Sequence, residues 1–211
     1  MELKWLGHAT WLLTTQGKTL YLDPYAGEYQ GEAYAILCTH HHDDHCKPEK
    51  VEAALGEKTV IIAPEECGRK LGREVVSLKP GESWEGEGVK VTAVEAYNVR
   101  RFRSPGNPFH PKGVGVGYII EAEGKRVYHM GDTDFIEEMK DVGPIDVMLV
   151  PSGGTYTMDN EEAAEATKAI RPKVAIPMHI WETNPREYKK LVESSCETKV
   201  IILEPGETHR L

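Results

Sequence analysis

The feature that most constrains this chain is the polar run His40 to His45, which has the pattern His-x-His-x-Asp-His. Imidazole and carboxylate side chains at this density suit neither a hydrophobic core nor an ordinary solvated turn, whereas both are good ligands for divalent metals. The run is internal, so it is not an expression tag. The pattern therefore predicts a metal site.

The flanking sequence indicates how this run is presented. Residues 33–39 are apolar and predict a buried strand, and residues 47–55, with Pro48 in the first turn, predict a helix. Positions two apart share a side of an extended chain, so His40 and His42 point together. After the chain turns, the two remaining ligands, Asp44 and His45, can face a second point. One loop can thus serve two ions.

Four further motifs elsewhere in the chain are to be read together with this run. They are Trp5-Leu6-Gly7-His8-Ala9-Thr10, Leu20-Tyr21-Leu22-Asp23-Pro24, His129-Met130-Gly131-Asp132 and Ile176-Pro177-Met178-His179. Together they resemble the metallo-β-lactamase superfamily. The segment 152–159 further resembles its small single-domain branch, which includes ascorbate-phosphate-lactonase-like proteins. The resemblance implies a four-layer α/β/β/α sandwich of the α/β class, formed by one domain over residues 1–211.

The resemblance also implies a set of metal ligands. It assigns one ion to His40, His42 and a third ligand, the other ion to Asp44, His45 and His179, and the bridging position to Asp132. We expect two divalent ions, with zinc as the first choice and manganese, magnesium or iron as alternatives. Such a pair generates hydroxide near neutral pH, so the expected reaction is hydrolysis of an ester, lactone or phosphodiester.

The third ligand of the first ion is where the chain departs from the family pattern. Family members commonly place a histidine where this chain has Asn98. Three interpretations stay open: His110, twelve residues on, folds back as the ligand, the Asn98 amide oxygen coordinates, or water fills the gap. An amide oxygen suits manganese or magnesium better than zinc, so the choice bears on the metal.

The segment between Asn98 and His110 is basic in an otherwise acidic chain. Its cations, with one just beyond it, are Arg100, Arg101, Arg103 and Lys112. Arginine and lysine near a metal pair suit phosphate or carboxylate groups, which predicts a clamp for a small anionic substrate. A solvated basic loop is the alternative. Asn98 itself and Thr157, on a glycine-rich loop, are further candidate substrate contacts.

Several supporting roles are predicted as well. Asp44, Asp132 and His8 are the candidate catalytic residues, with His8 lining the pocket or serving as a structural histidine. Asp23 either orients a ligand histidine or is an ordinary turn aspartate. Cys46 is expected to pack beneath the loop, and all four cysteines are expected to be reduced.

Composition limits the classes of partner. The net charge of −9 argues against a nucleic-acid-binding surface, and no apolar run reaches membrane-spanning length. We expect a cytoplasmic protein, and a homo-oligomer is compatible with the sequence. Two alternative functions stay open: a nuclease or phosphodiesterase acting on nucleic acid, and a metal- or ligand-binding protein without activity.

The local patterns also predict where the elements lie. Strands are expected at about 2–6, 10–15, 18–23, 34–39, 59–63, 74–77, 88–97, 114–122, 125–130, 146–150, 173–177 and 199–203. Helices are expected at about 48–55, 64–71, 134–140, 159–170 and 185–196. The two halves of the chain are expected to meet near residues 98–113.

Overall fold

A computed structural model describes all residues from Met1 to Leu211, which form fifteen strands, four α-helices and one 3₁₀ helix. The strands are β1 Glu2–Gly7, β2 Thr10–Thr15, β3 Lys18–Leu22, β4 Ala35–Leu37, β5 Val60–Ile62, β6 Ser83–Gly86, β7 Val89–Ala96, β8 Phe102–Ser104, β9 Asn107–Pro108, β10 Gly115–Ala122, β11 Lys125–His129, β12 Val147–Pro151, β13 Val174–Met178, β14 Lys199–Val200 and β15 Thr208–Arg210. The helices are α1 Pro48–Ala54, α2 Glu65–Leu71, α3 Asn160–Ile170 and α4 Pro185–Glu193, and the 3₁₀ helix is Glu137–Asp141.

The strands form two sheets and one small hairpin. The first sheet has the order β15-β1-β2-β3-β4-β5, and the second has the order β14-β13-β12-β11-β10-β7-β6. Strands β3, β4 and β5 run parallel, as do β11, β12, β13 and β14. Parallel neighbours place their carboxyl ends at one edge of a sheet, which is where α/β folds usually bind ligands.

Alternating side chains pack the two sheets against each other. In β2, Trp11 and Leu13 enter the core between the sheets, while Leu12 packs on the opposite face. In β12, Leu149 enters that same core, and Met148 and Val150 face the other way. Successive side chains of a strand point to opposite faces, so strands with apolar side chains on both faces are buried on both sides.

The helices cover the outer faces of the sheets. Val51 of α1 and Cys67 of α2 pack with Tyr21 and Ile36 of the first sheet. Buried residues of α3 and α4 pack in the same way on the second sheet. The result is the four-layer α/β/β/α sandwich that the resemblance implied. None of these helices is both long enough and apolar enough to cross a membrane.

The structure changes some of the predicted elements. The predicted strand 74–77 is reduced to a single bridge between Ile62 and Val76, and the predicted helix 134–140 is a 3₁₀ helix that begins at Glu137. The predicted strand 199–203 ends at Val200, while β6, β15 and the β8–β9 hairpin were not predicted. Short edge elements have few residues with which to show a period, so sequence patterns miss them.

The position at which the chain passes from one sheet to the other also differs from expectation. Residues 98–113 join β7 and β10, which are antiparallel neighbours in the second sheet. The chain passes to the second sheet earlier, between α2 and β6, and returns to the first sheet between β14 and β15. The expected junction near 98–113 is therefore wrong as a boundary between the two sheets. This segment instead connects two neighbouring strands within the second sheet.

One buried tyrosine links the two sheets by hydrogen bonding. Tyr118 of β10 is 1% exposed, and its hydroxyl donates to the carbonyl oxygen of Cys38, at 3.0 Å, just before the His40–His45 loop. Its oxygen also lies 3.3 Å from the carbonyl of Ile62. This contact fixes the end of β4 against the second sheet, at the level where the polar loop begins.

Replacing this hydroxyl gives a direct test of the link. We expect Tyr118→Phe to lower the free energy of unfolding by about 1–2 kcal/mol, because it leaves the Cys38 carbonyl without its partner. The matched control is Tyr128→Phe, since the Tyr128 hydroxyl is buried without any hydrogen-bond partner. That control should be neutral or stabilising in the same urea titration. Equal effects of the two substitutions would contradict the assigned role of Tyr118.

Candidate metal centre

The candidate site lies at the edge where strands of both sheets end. The His40–His45 loop follows β4 of the first sheet, Asp132 follows β11 and His179 follows β13. Two further histidines join them: His8 from the β1–β2 turn and His110 from the segment before β10. The fold thus collects side chains that are far apart in sequence into one polar cluster.

The Asp132 carboxylate lies at the middle of this cluster. Its Oδ2 is 3.2 Å from Nε2 of His110 and 3.2 Å from Nε2 of His179. Its Oδ1 is 3.3 Å from Nε2 of His45, and Nε2 of His40 lies 4.0 Å from Oδ2. One carboxylate therefore faces imidazoles from both parts of the predicted ligand set.

The remaining ligand atoms fall into two groups around the Asp132 carboxylate. Within each group, the ligand atoms all lie within 4.8 Å of one another. The first group is His40, His42 and His110, and the second is His8, Asp44, His45 and His179. A third set, His40, His45 and Asp132, joins the two groups. The structure thus brings together every residue that the sequence predicted as a ligand, and it adds His8 to the second group.

Several of these atoms are buried and have no hydrogen-bond partner. They are Nε2 of His45, Oδ1 of Asp132 and both ring nitrogens of His179. A buried polar atom without a partner costs about 1–3 kcal/mol, so proteins rarely leave several together. Imidazole nitrogens and a carboxylate oxygen that converge on one place are the donor set that divalent transition metals take. The residues present therefore fit a metal ion.

The two carboxylates of the site are held in their charged form. Burial alone would raise the pKa of Asp132, but the neighbouring His179 and His45 outweigh burial and hold that pKa well below its usual range. Burial would likewise raise the pKa of Asp44, but the hydrogen bond from His8 and the charge of His45 lower it. Charged carboxylates at neutral pH are what cation binding requires.

The imidazoles of His40 and His42 are held neutral. Burial, together with His45, holds the pKa of His40 well below its usual value. Burial, together with His110, lowers the pKa of His42 to about 4. His45 differs: burial would lower its pKa, but Asp132 and Asp23 outweigh burial and raise that pKa well above its usual value. A cation at His45 must therefore displace a proton.

Asp23 orients this part of the site. It is fully buried, and its Oδ2 accepts a hydrogen bond from Nδ1 of His45 at 2.7 Å. It also accepts hydrogen bonds from the backbone nitrogen and the hydroxyl of Thr39, at 2.7 and 2.8 Å. Asp23 thus holds both the ring of His45 and the start of the loop, with the Nε2 of His45 directed toward Asp132. The alternative of an ordinary turn aspartate does not describe this residue.

Asn98 holds His110 in a comparable way. The Oδ1 of Asn98 accepts hydrogen bonds from the backbone nitrogen and from Nδ1 of His110, both at 2.8 Å. Its Nδ2 donates to the carbonyl oxygen of Tyr156 at 3.2 Å. The amide is therefore used within the chain, which corrects the expectation that Asn98 contacts substrate. The Nε2 of His110 is left facing Asp132.

The backbone at three site residues is in the left-handed region. His8, Asp23 and His179 have φ values of 53°, 46° and 50°. L-residues rarely adopt this region, and strained backbone clusters at functional sites. Gly153 packs directly behind His179: a Cβ there would lie 2.3 Å from the His179 carbonyl oxygen. Only glycine allows the two loops to approach so closely.

Arg101, in the basic segment, has a different role from the one expected for it. Arg101 pairs with the buried carboxylates Asp134 and Glu162, lies 3.2 Å from Asp159, and donates from Nε to the Gly154 carbonyl. Its side chain is only 12% exposed. Arg101 thus anchors the loop to the second sheet and α3, and it does not project into the cluster. The expectation of a substrate contact is corrected for this residue.

The other candidate contacts are dispersed. The Nζ of Lys112 lies 2.8 Å from Glu138, and the hydroxyl of the fully buried Thr157 accepts a hydrogen bond from the Gly153 nitrogen. Arg100 is exposed, and its nearest charged partner, Glu162, lies 3.7 Å away. Arg103 packs over the ring of Phe109, 5.3 Å from its centroid. Of the four cations, Arg100, Arg103 and Lys112 are exposed, and Lys112 is paired with Glu138.

The cysteines and His129 serve the structure. Cys46 is fully buried and packs with Cys38 and Cys67 beneath the loop, and all four cysteines are free thiols, as expected. The Nε2 of His129 donates to the Ala9 carbonyl at 3.0 Å, and its Nδ1 accepts from the Gly131 nitrogen. The ligand groups contain neither His129 nor any of the cysteines.

Comparison with known proteins agrees with this geometry. Residues 2–179 match the model of the β-lactamase superfamily domain. A UPF0173 metal-dependent hydrolase of Archaeoglobus fulgidus is 34% identical over 99% of this chain and 98% of its own length. A second one, from Pelotomaculum thermopropionicum, is 32% identical over the full length of both chains.

Solved structures agree as well. Igni18, a metallo hydrolase from the hyperthermophilic archaeon Ignicoccus hospitalis, superposes with a TM-score of 0.81 at 29% identity, over 99% of this chain and 97% of its own. The chain belongs to the β-lactamase superfamily and, within it, to the UPF0173 metal-dependent hydrolases. It is a hydrolase that depends on a bound metal, as the sequence predicted.

The role of Asn98 can be tested through metal affinity. We expect Asn98→Ala to weaken the binding of one ion by about 10–100-fold, because His110 loses the acceptor that fixes its ring. Isothermal titration of the metal-free protein, with metal content by mass spectrometry, measures this. The control is Asn107→Ala, an exposed asparagine of the same segment. Two tightly bound ions in His110→Ala would remove His110 from the ligand set.

The anchoring role of Arg101 can be tested through stability. We expect Arg101→Ala to lower the free energy of unfolding by about 3 kcal/mol, because it leaves the buried Asp134 and Glu162 carboxylates without their cation. Arg103→Ala, in the same loop, should change that free energy by less than about 0.5 kcal/mol. Chemical denaturation measures both. Unchanged stability of Arg101→Ala, with a raised KM, would restore the substrate-clamp interpretation.

Proposed function

We propose that this protein hydrolyses an ester, lactone or phosphodiester bond of a small anionic molecule, using two divalent metal ions. The observation that carries the proposal is the buried Asp132 carboxylate between two groups of ligand atoms. In this proposal, His40, His42 and His110 hold one ion, Asp44, His45 and His179 hold the other, and Asp132 contacts both. Zinc is favoured, because most of these ligands are imidazoles.

The ions and the chain have separate tasks. When bound, two such ions act as Lewis acids and lower the pKa of a water toward neutrality, which supplies the hydroxide for hydrolysis. Asp23 and Asn98 hold the rings of His45 and His110, so that their Nε2 atoms face the centre. Burial keeps His40 and His42 neutral, and the neighbouring imidazoles keep Asp132 charged.

His8 is the proposed proton carrier. Its Nε2 donates to Oδ2 of Asp44 at 3.1 Å, and its ring lies 4.0 Å from the ring of His179. Burial lowers the pKa of His8, although the hydrogen bond to Asp44 opposes this effect. A neutral imidazole beside the centre can accept the proton released when water is activated, and the imidazolium that results can donate a proton to the leaving group.

The anionic character of the substrate rests on two arginines. Arg100 is exposed, and Arg103 packs over Phe109, which lies next to His110. A guanidinium in such a position suits a phosphate or carboxylate group. A nucleic acid is disfavoured as a substrate by the net charge of −9, since a duplex needs a basic footprint.

A metal count and a substrate screen test the proposal together. We expect two ions per chain, turnover of chromogenic esters, lactones or phosphodiesters, and loss of at least about a hundredfold in kcat in Asp132→Ala. Removal of the ions by a chelator should abolish turnover, and added zinc should restore it. The control Asp43→Ala, an exposed aspartate of the same loop that pairs with Lys70, should keep full activity.

Two outcomes contradict the proposal in different ways. Two bound ions with no turnover of any of these bonds would favour a binding protein over an enzyme of this reaction class. Turnover that survives in Asp132→Ala would show that the carboxylate between the two ligand groups is not needed for hydrolysis.

A further inference from the structure

Four aromatic side chains, joined through the ring of His8, form a continuous series beside the ligand groups. Phe109 packs edge-to-face on Tyr156, with ring centroids 4.9 Å apart, and Tyr156 lies 6.5 Å from Trp181. Trp181 in turn lies 6.4 Å from the ring of His8, which lies 5.5 Å from Tyr25. We call Phe109, Tyr156, Trp181 and Tyr25 the aromatic rim.

The aromatic rim is attached to both ligand groups. Phe109 directly precedes His110, and the Tyr156 carbonyl accepts the hydrogen bond of the Asn98 amide that orients His110. At the other end, Trp181 follows His179 by two residues. The rim therefore runs from the first group to the second along one side of the centre.

The loops that carry the rim are fixed to each other. The Glu182 nitrogen donates to the Gly153 carbonyl at 3.3 Å, and the Thr155 hydroxyl donates to the Glu182 carboxylate at 2.9 Å. A Cβ at Gly153 would lie 3.4 Å from Cβ of Trp181. These contacts hold the backbone that carries Tyr156 and Trp181 in place before any ligand binds, which reduces the entropy lost on binding.

These rings are exposed to an unusual degree for their size. Trp181 is 62% exposed, Tyr156 39% and Tyr25 37%, although the protein has fully buried aromatic side chains elsewhere. Exposed aromatic side chains gathered around a polar centre mark a binding surface, because their faces gain most by covering another planar apolar group. Arg103, packed over Phe109, adds one cation at the edge of this surface.

From this arrangement we infer that the substrate carries an aromatic ring next to the bond that is cleaved. The inference rests on the proposed function and specifies its substrate class as an aryl-substituted ester, lactone or phosphodiester. The ring packs on Trp181 and Tyr156, and the bond to be cleaved reaches the ligand groups beside His8. An anionic group on the same molecule lies within reach of Arg103.

Two phosphonates that share a head group test whether the protein binds an aromatic ring, and this test does not require turnover. Phenylphosphonate and methylphosphonate share the phosphonate group and differ in the ring, so calorimetry on the zinc-loaded protein isolates the contribution of the ring. We expect phenylphosphonate to bind about tenfold or more tightly, and Trp181→Ala to remove most of that preference. Methylphosphonate affinity should stay the same in Trp181→Ala.

The matched control is Phe102→Ala. Phe102 is 42% exposed and lies on the same segment as Phe109, but it is outside the aromatic rim. This variant should keep the preference for phenylphosphonate. For turnover, the ratio of kcat/KM for ethyl benzoate to that for ethyl acetate, which differ only in the ring next to the cleaved bond, should fall about tenfold in Trp181→Ala, since intrinsic reactivity cancels between the variants.

The outcomes separate this inference from the proposed function. Equal affinity of the wild-type protein for the two phosphonates, or an equal loss for both in Trp181→Ala, would overturn the inference, even in an active hydrolase. A preference for phenylphosphonate that depends on Trp181 would support it, even if no ester or phosphodiester is hydrolysed. In that case only the proposed reaction would fail.

Discussion

The rest of the structure depends on the balance of charge around the buried Asp132 carboxylate. A buried carboxylate is costly unless cationic or hydrogen-bonding groups surround it, and here His45, His110 and His179 approach it from three different segments. His45 is itself balanced by Asp23 on its other side. The ends of β4, β11 and β13 must therefore meet at one place, which explains why both sheets present their carboxyl ends at the same edge.

Much of this arrangement can be predicted from sequence because its causes are local. The His40–His45 run shows its metal-binding character within six residues, and the continuous apolar run of a strand such as β12 indicates burial on both faces. The motifs that contain Asp132 and His179 share a family pattern with this run, so the ligand set and the four-layer sandwich could be expected before the structure.

The parts that could not be predicted depend on contacts between distant residues. Whether His110 or Asn98 faces the centre is decided by the β8–β9 hairpin between them, which returns the chain so that the asparagine supports the histidine. Arg101 resembled a substrate contact because its buried partners, Asp134 and Glu162, lie more than thirty residues away. The exposure of Trp181 likewise follows from tertiary structure alone.

The hydrogen bonds of Asp23 have a consequence for the thermodynamics of metal binding. Because Asp23 fixes Thr39 and the His45 ring, and Asn98 fixes His110, these side chains lose their conformational freedom when the chain folds. Ion binding then loses little further entropy, since the coordination shell is preorganised. The strained backbone at His8, Asp23 and His179 has a related effect. It lowers the folding stability, and it belongs to a centre that is rigid before the ions bind.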